Sequence, residues 1–285
     1  MSGLIYINGD LVAADRAALP LLDRGYLYGE GLFETLHAYG GRIFALDRHL
    51  RRLMSSAAEL GLELGVGEEQ LAAALALTLE ANGLRNAYLR LTVSQRCDAP
   101  GIESRAPGRF TTSVIARPLD VSPRHGGASL VTLAPGSAPP ASLARHKTLS
   151  FLAYVRARAE ARARRADDAL LLNGAGDITE ASAANVFFVC DGRLVTPPVE
   201  CGLLPGITRA IVLELAPDTG IEVAERPIRP ADLGACTESF LTNSIIELQP
   251  VISINGAPVG SGRVGGIASV LAASYGRAVT KATAI

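Results

Sequence analysis

Among the 27 lysines and arginines of this 285-residue chain, only Lys147 and Lys281 are lysines. Lys147 lies in the locally apolar stretch HKTLSFLAY. An amine can lose its proton and form a Schiff base with an aldehyde, whereas a guanidinium stays protonated at any working pH. We therefore read Lys147 as a nucleophile, with an ordinary surface lysine as the alternative. Glu180, in GDITEASAANVFFV, sits just before small residues and an apolar strand. A carboxylate held there needs a cation beside it to stay charged, and a pyridinium nitrogen would serve. An exposed charge at a strand edge is the alternative reading.

Two further stretches could bind an anion. In CGLLPGITRAIVLELA, Pro205-Gly206 breaks the chain before a helix, so the amides of Ile207 and Thr208 lie at a helix start, where backbone N–H groups and the macrodipole favour a phosphate. In HLRRL, Arg51 and Arg52 are neighbours about 100° apart on a helix, so one can face solvent while the other reaches inward. A lysine, a carboxylate, a phosphate-cradling helix start and an inward arginine are together the parts that hold pyridoxal 5'-phosphate. They come from both of the domains expected below, which predicts a site between the two.

The elements that must position these residues follow from pattern. LIYINGDLVAA reads as a hairpin about Asn8-Gly9, and GLFETLHAYGGRIFALD as a second about Gly40-Gly41. Leu50, Leu53, Ala57 and Leu60 share one helical face over 47–60, with Asp47 as the expected N-cap. Another helix is expected over 67–82, and then NAYLRLTVSQR as a strand with Tyr88, Arg90, Thr92 and Ser94 on one face. PLDVSPRHGG is the best linker. We expect a smaller α+β domain over 1–117, a linker over 118–127 and a larger α+β domain over 128–285. The second domain has helices at about 208–216 and 265–275.

Composition excludes several classes. A 48% hydrophobic, 19% charged chain with no long apolar run is not membrane-inserted, and a net charge of −1 argues against nucleic acid as a partner. The N-terminus MSGLIYINGDLV has no basic and then apolar leader, so the cytoplasm is the expected compartment. Cys97, Cys190, Cys201 and Cys236 show no metal-ligand spacing and are expected to be free thiols, with no metal bound.

The chain resembles class IV aminotransferases, the fold-type IV pyridoxal-phosphate enzymes that include branched-chain aminotransferases, D-amino-acid transaminases and aminodeoxychorismate lyases. The resemblance runs in order through LLDRGYLYGEGLFETLHAY, FALDRHLRRLMSSA, RHKTLSF, ITEASAANVFFV, LLPGITR and FLTNSIIELQPV, nearly the whole chain. It implies a two-domain α+β fold of the D-amino-acid-aminotransferase type and a homodimer whose neighbouring subunit contributes to the pocket. It also implies Lys147 as the Schiff-base lysine and Glu180 as the acid at the pyridine nitrogen. Arg52, Ile207, Thr208 and Ser244 are the implied phosphate ligands, and Tyr28 and Phe33 match positions that line the substrate pocket.

The subfamilies are mixed. Branched-chain enzymes carry a tyrosine five residues after the lysine, where this chain has Leu152; the carboxylate-trapping arginine of D-amino-acid transaminases is replaced by Val93. Arg90, on the same face as Tyr88, matches an arginine of branched-chain enzymes, Arg96 can add a carboxylate contact, and Thr35 lies in a motif similar to that of aminodeoxychorismate lyases, which usually have asparagine at the place of Ser150. The expected activity is transfer of an amino group between an amino acid and a 2-oxo acid. A lyase releasing pyruvate and 4-aminobenzoate from aminodeoxychorismate, and a non-catalytic cofactor-binding module, are the alternatives.

Overall fold

The computed structural model describes residues 3–103, 109–119 and 126–284, so part of the expected linker lies outside the described residues. The chain divides into two compact units. The first comprises Met1–Val121, His146–Ser150 and Lys281–Ile285; the second comprises Ser122–Arg145 and Phe151–Thr280. The Lys147 segment therefore belongs to the first unit, not to the C-terminal domain in which a linear division of the sequence places it.

The first unit contains β1 (Leu4–Ile7), β2 (Asp10–Ala13), α1 (Arg24–Tyr28), β3 (Gly31–Tyr39), β4 (Arg42–Ile43), α2 (Leu46–Glu59), α3 (Glu68–Ala81), β5 (Ala87–Gln95) and β6 (Phe110–Pro118). The strands form one antiparallel sheet in the order β2-β1-β6-β5-β3-β4. Both hairpins turn where expected, with Asn8, Gly9, Gly40 and Gly41 at positive φ. Period-two alternation sends Leu32, Leu36, Leu89 and Leu91 into a core with Leu50, Leu53, Leu71 and Leu75 of α2 and α3. Each such side chain contributes roughly 1.5–3 kcal/mol on burial. Helix α2 starts after Ala45, which has φ 51° and makes no side-chain cap; Asp47 lies inside the first turn and pairs with Arg51 instead of capping.

Strand β4 pairs only with Ala38 and Tyr39, which leaves the N-terminal edge of β3 open. The Lys147 segment fills it: Phe33 N donates to Lys147 O at 2.9 Å and Leu149 N to Gly31 O at 3.0 Å. Gly31 is required at this crossing, because a Cβ there would lie 2.6 Å from Val93 O and 2.7 Å from Leu149 Cδ1.

The second unit contains β7 (Ala128–Pro135), α4 (Ala141–Ala144), α5 (Leu152–Ala163), β8 (Asp168–Leu172), β9 (Ile178–Ala181), β10 (Asn185–Cys190), β11 (Arg193–Thr196), α6 (Ile207–Leu215), β12 (Val223–Glu225), β13 (Cys236–Asn243), β14 (Glu247–Ile254), β15 (Ala257–Pro258) and α7 (Gly266–Thr283). Its sheet is mixed, in the order β12-β11-β10-β13-β14-β7-β8-β9 with β15 beside β14. Strands β8, β9 and β10 are buried along their whole length, as expected for a sheet covered on both faces. Phe187 and Val189 pack with Val212 of α6 and Leu271 of α7, while the alternate residues Val186 and Phe188 enter a separate core with Leu170 and Ile228.

The expectation of four free thiols fails at one pair. Cys190 and Cys236 are register partners on the antiparallel strands β10 and β13, with Cα atoms 4.3 Å apart, and form a disulfide. Cys97 and Cys201 are free and buried. Among the described residues no helix is long and apolar enough to cross a membrane.

Candidate active site

Two groups of chemically capable side chains stand out, one in each unit. In the first, strand pairing sets Phe33 opposite Thr92, Thr35 opposite Arg90 and His37 opposite Tyr88, all on the sheet face turned away from α2 and α3. Lys147 Nζ lies 4.6 Å from the centroid of the Phe33 ring and Arg90 Cζ lies 3.8 Å from it. An amine and a guanidinium thus share one buried aromatic ring, each in a cation–π contact. Lys147 and Arg90 are both half-buried. Tyr88, two residues before Arg90, carries the Arg117 guanidinium 4.4 Å over its ring.

Behind that sheet, on the α2 side, Glu34 is 1% exposed. Arg52 donates to it twice, Nε to Oε1 at 2.8 Å and Nη2 to Oε2 at 2.6 Å, and His49 Nδ1 stands 2.8 Å from Oε2. Burial alone would raise the Glu34 carboxyl, but the Arg52 charge and the hydrogen bonds from His49 and Arg52 hold it down at about 2. Burial pushes His49 below its ordinary value, aided by the charges of Arg52 and Lys147 and opposed by Glu34. The imidazole is therefore neutral near pH 7, with its hydrogen on Nδ1 facing the carboxylate. Of the two neighbouring arginines, Arg51 points outward to Asp47 and Arg52 inward. His49, Arg52 and Ser56 follow one another along one side of α2, and Ser56 Oγ lies 3.1 Å from Nδ1 of His146, the residue before Lys147.

The second unit presents Glu180, 5% exposed, at the end of β9. Three donors converge on it: Tyr154 Oη to Oε1 at 3.0 Å, Leu204 N to Oε2 at 3.2 Å and Asn185 Nδ2 to Oε2 at 3.3 Å. Asn185 also donates to Leu204 O at 2.8 Å, which ties the turn before α6 to β10. The following Pro205-Gly206 leads into α6, whose N-cap Gly206 offers no side-chain cap to the first turn. Ile207 and Thr208 open this helix, where the first backbone N–H groups have no partner within the helix. Ser244 lies in a turn built by Asn243, whose Oδ1 accepts from Ile245 N and Ile246 N at 2.8 Å each.

The remaining expected pocket residues are placed less centrally. Tyr28 is half-exposed and its hydroxyl accepts from Gly101 N at 3.0 Å. Arg96 bridges Asp23 through its backbone and is half-buried. Sequence reasoning missed Glu34, His49, Tyr154 and Asn185. A signal existed for Glu34, a carboxylate at an inward position of the Leu32-Glu34-Leu36 alternation.

Each unit carries groups of the kind that a phosphorylated pyridine aldehyde calls for: in the first, an amine over an aromatic ring and a guanidinium anchored from behind; in the second, a buried carboxylate that accepts from three donors and a helix start without a side-chain cap. Comparison with known proteins agrees. The family model described as Amino-transferase class IV matches residues 31–254. A Methanocaldococcus jannaschii protein assigned as a branched-chain-amino-acid aminotransferase is 36% identical over 268 residues, covering 94% of this chain and 93% of its own. The D-alanine aminotransferase of Bacillus licheniformis is 31% identical, covering 92% of each. The branched-chain aminotransferase of Thermoproteus uzoniensis, solved with norvaline, superposes with a TM-score of 0.92 at 30% identity over 100% of this chain and 97% of that one. A second solved branched-chain amino acid aminotransferase, crystallised with pyridoxamine 5'-phosphate, superposes with a TM-score of 0.92 at 31% identity over 99% and 95%. By sequence family and by fold, the chain belongs to the class IV aminotransferases.

Proposed function

We propose that this aminotransferase binds pyridoxal 5'-phosphate and moves the amino group of a branched-chain amino acid onto a 2-oxo acid. The observation that carries the reading is the placement of Lys147 Nζ and the Arg90 guanidinium on the same Phe33 ring. One cation is an amine able to react and to move a proton; the other can only hold a carboxylate. When bound, pyridoxal phosphate supplies the electron sink for the pair left as the substrate's Cα proton is removed.

The chain's own residues do the rest. Arg52, the N–H groups of Ile207 and Thr208, and Ser244 would hold the phosphate, and Glu180 the proton on the ring nitrogen. Glu34 neutralises Arg52 and fixes its plane, so the guanidinium is oriented before any ligand arrives. Lys147 moves the proton at the substrate Cα, and Arg90 orients the substrate by its carboxylate, with Tyr88, Thr35 and Arg96 completing the polar side of the pocket. Phe33, 4% exposed, excludes water from beneath the amine.

We also propose that the protein works as a homodimer. The first unit exposes Leu21, Tyr26 and Ile102 at 75%, 70% and 75%. Tyr26 lies two residues from Arg24, whose Nη2 donates to Ile102 O. Apolar groups so exposed are what a second copy would cover.

The test is a half-reaction. The purified, cofactor-loaded protein is mixed with L- and D-amino acids one at a time while its near-visible spectrum is recorded. Conversion to the pyridoxamine spectrum by L-leucine, L-isoleucine or L-valine is expected. Conversion by D-alanine alone would replace the substrate assignment, and no conversion by any amino acid would favour pyruvate release from aminodeoxychorismate.

A further inference from the structure

Helix α5 and the chain around Glu180 are fastened at two points. Tyr154 and Arg158 are four residues apart on α5, on one face and about 6 Å apart along the axis. Glu180 is on β9, and Ser182 lies in the bend that follows it. Tyr154 Oη donates to Glu180 Oε1 at 3.0 Å, and Arg158 Nη1 donates to Ser182 Oγ at 3.3 Å and to Asp168 Oδ2 at 2.5 Å. Ser182 in turn donates its hydroxyl to Asp168 Oδ1. Phe151 stacks on the Tyr154 ring, with centroids 4.7 Å apart and planes 29° apart, which fixes the ring that carries the hydroxyl.

We infer that Tyr154 is a positioning residue that fixes the Glu180 carboxylate for the ring nitrogen of the cofactor. The inference rests on the assignment of Glu180 made above. The other oxygen of Glu180 is held by Asn185 and Leu204, both attached to the turn before α6. Those two donors meet one oxygen of the carboxylate; the phenol meets the other, Oε1, from a different element, and so opposes rotation of the group. Burial, then the Glu180 charge and hydrogen bond, push the Tyr154 phenol well above its ordinary range. It therefore keeps the proton that it donates to Glu180 at any working pH. Leu152, two residues earlier on the same helix, is 71% exposed and can take no such role.

The experiment compares wild type, Y154F, E180Q and the Y154F/E180Q double variant. The apoproteins are titrated with pyridoxal 5'-phosphate for Kd, and the loaded proteins are titrated with pH for the midpoint of the bound cofactor's near-visible absorbance. Y154F is expected to weaken cofactor binding about tenfold, the loss of one hydrogen bond to a charged group. It is also expected to move the absorbance midpoint in the same direction as E180Q. In the E180Q background the phenylalanine should change neither quantity by more than about twofold, because the phenol acts through the carboxylate. A wild-type Kd and midpoint in Y154F would overturn the inference, and so would full additivity in the double variant. A lowered melting temperature with an unmoved midpoint would also overturn it, since a merely structural role does that. Wild-type protein that takes up no pyridoxal phosphate would instead refute the cofactor assignment itself.

Discussion

Arg52 and Glu34 lie side by side, with two guanidinium nitrogens of the one donating to the two carboxylate oxygens of the other at 2.8 and 2.6 Å. The pair is nearly closed to solvent, the arginine side chain 11% and the glutamate 1% exposed. Removing one partner of such a pair leaves a buried charge uncompensated, at a cost of about 3–5 kcal/mol. Glu34→Gln should therefore lower the melting temperature at pH 7, a change that thermal unfolding of the two proteins measures.

The same pair sets an acid response. Glu34 lies at about 2 against an ordinary 4.5, so its contribution is fully present above pH 4.5 and is lost as pH falls to about 2. His49 is held below its ordinary 6.5, so protonation of the unfolded chain's imidazole erodes stability as pH falls below that value. Both act in one direction. Between pH 4.5 and 2 the wild type should lose on the order of 3 kcal/mol from Glu34, a loss absent in Glu34→Gln. Unfolding curves for the two proteins that stay parallel with pH would contradict it.

Arg90 is assigned to the substrate carboxylate, so Arg90→Met should raise KM for the amino donor about tenfold or more and alter kcat less. Steady-state kinetics with the donor varied measures this. An unchanged KM with a lowered kcat would move Arg90 out of the binding role.

Gly206 has no room for a side chain: a Cβ there would lie 1.9 Å from Asn185 Oδ1. Asn185 cannot move without straining its bonds to Glu180 and Leu204. Gly206→Ala should thus destabilise the protein by about 1–3 kcal/mol and weaken cofactor binding at the same time. Loss of stability with cofactor affinity unchanged would show that Asn185 yields without disturbing Glu180.

The disulfide between Cys190 and Cys236 closes a segment with a sequence separation of 46. Reduction should lower stability by about 2–4 kcal/mol. Titration of unreduced, unfolded protein should find two thiols, Cys97 and Cys201. Four thiols before reduction, with melting curves indifferent to reductant, would contradict the bridge.

What could be read in the chain was what depends on neighbours in sequence. Asn8-Gly9 and Gly40-Gly41 turn as hairpins because positive φ is a local demand. The helices near 47–60 and 67–82 follow the apolar spacing of Leu50, Leu53, Leu71 and Leu75. Reactive residues such as Lys147 and Glu180 stood out by residue type. Unread were relationships set by pairing across the fold. Glu34 meets Arg52 across a strand–helix contact, Tyr154 meets Glu180 from another element, and Cys190 meets Cys236 through strand register. The return of the Lys147 segment to β3 is of the same kind, since nothing near residue 147 announces that Gly31 and Phe33 will receive it. The expected Asp47 cap failed because Ala45 takes the left-handed turn that starts α2.

Everything proposed for the site turns on Lys147 as the residue that binds the cofactor. Because the chain has only two lysines, one measurement tests it directly: reduce the pyridoxal-phosphate-loaded protein with borohydride, digest it and locate the added mass. The mass is expected on the peptide carrying Lys147, with neither label nor turnover in Lys147→Ala. Label on the Lys281 peptide, or turnover persisting in Lys147→Ala, would contradict it.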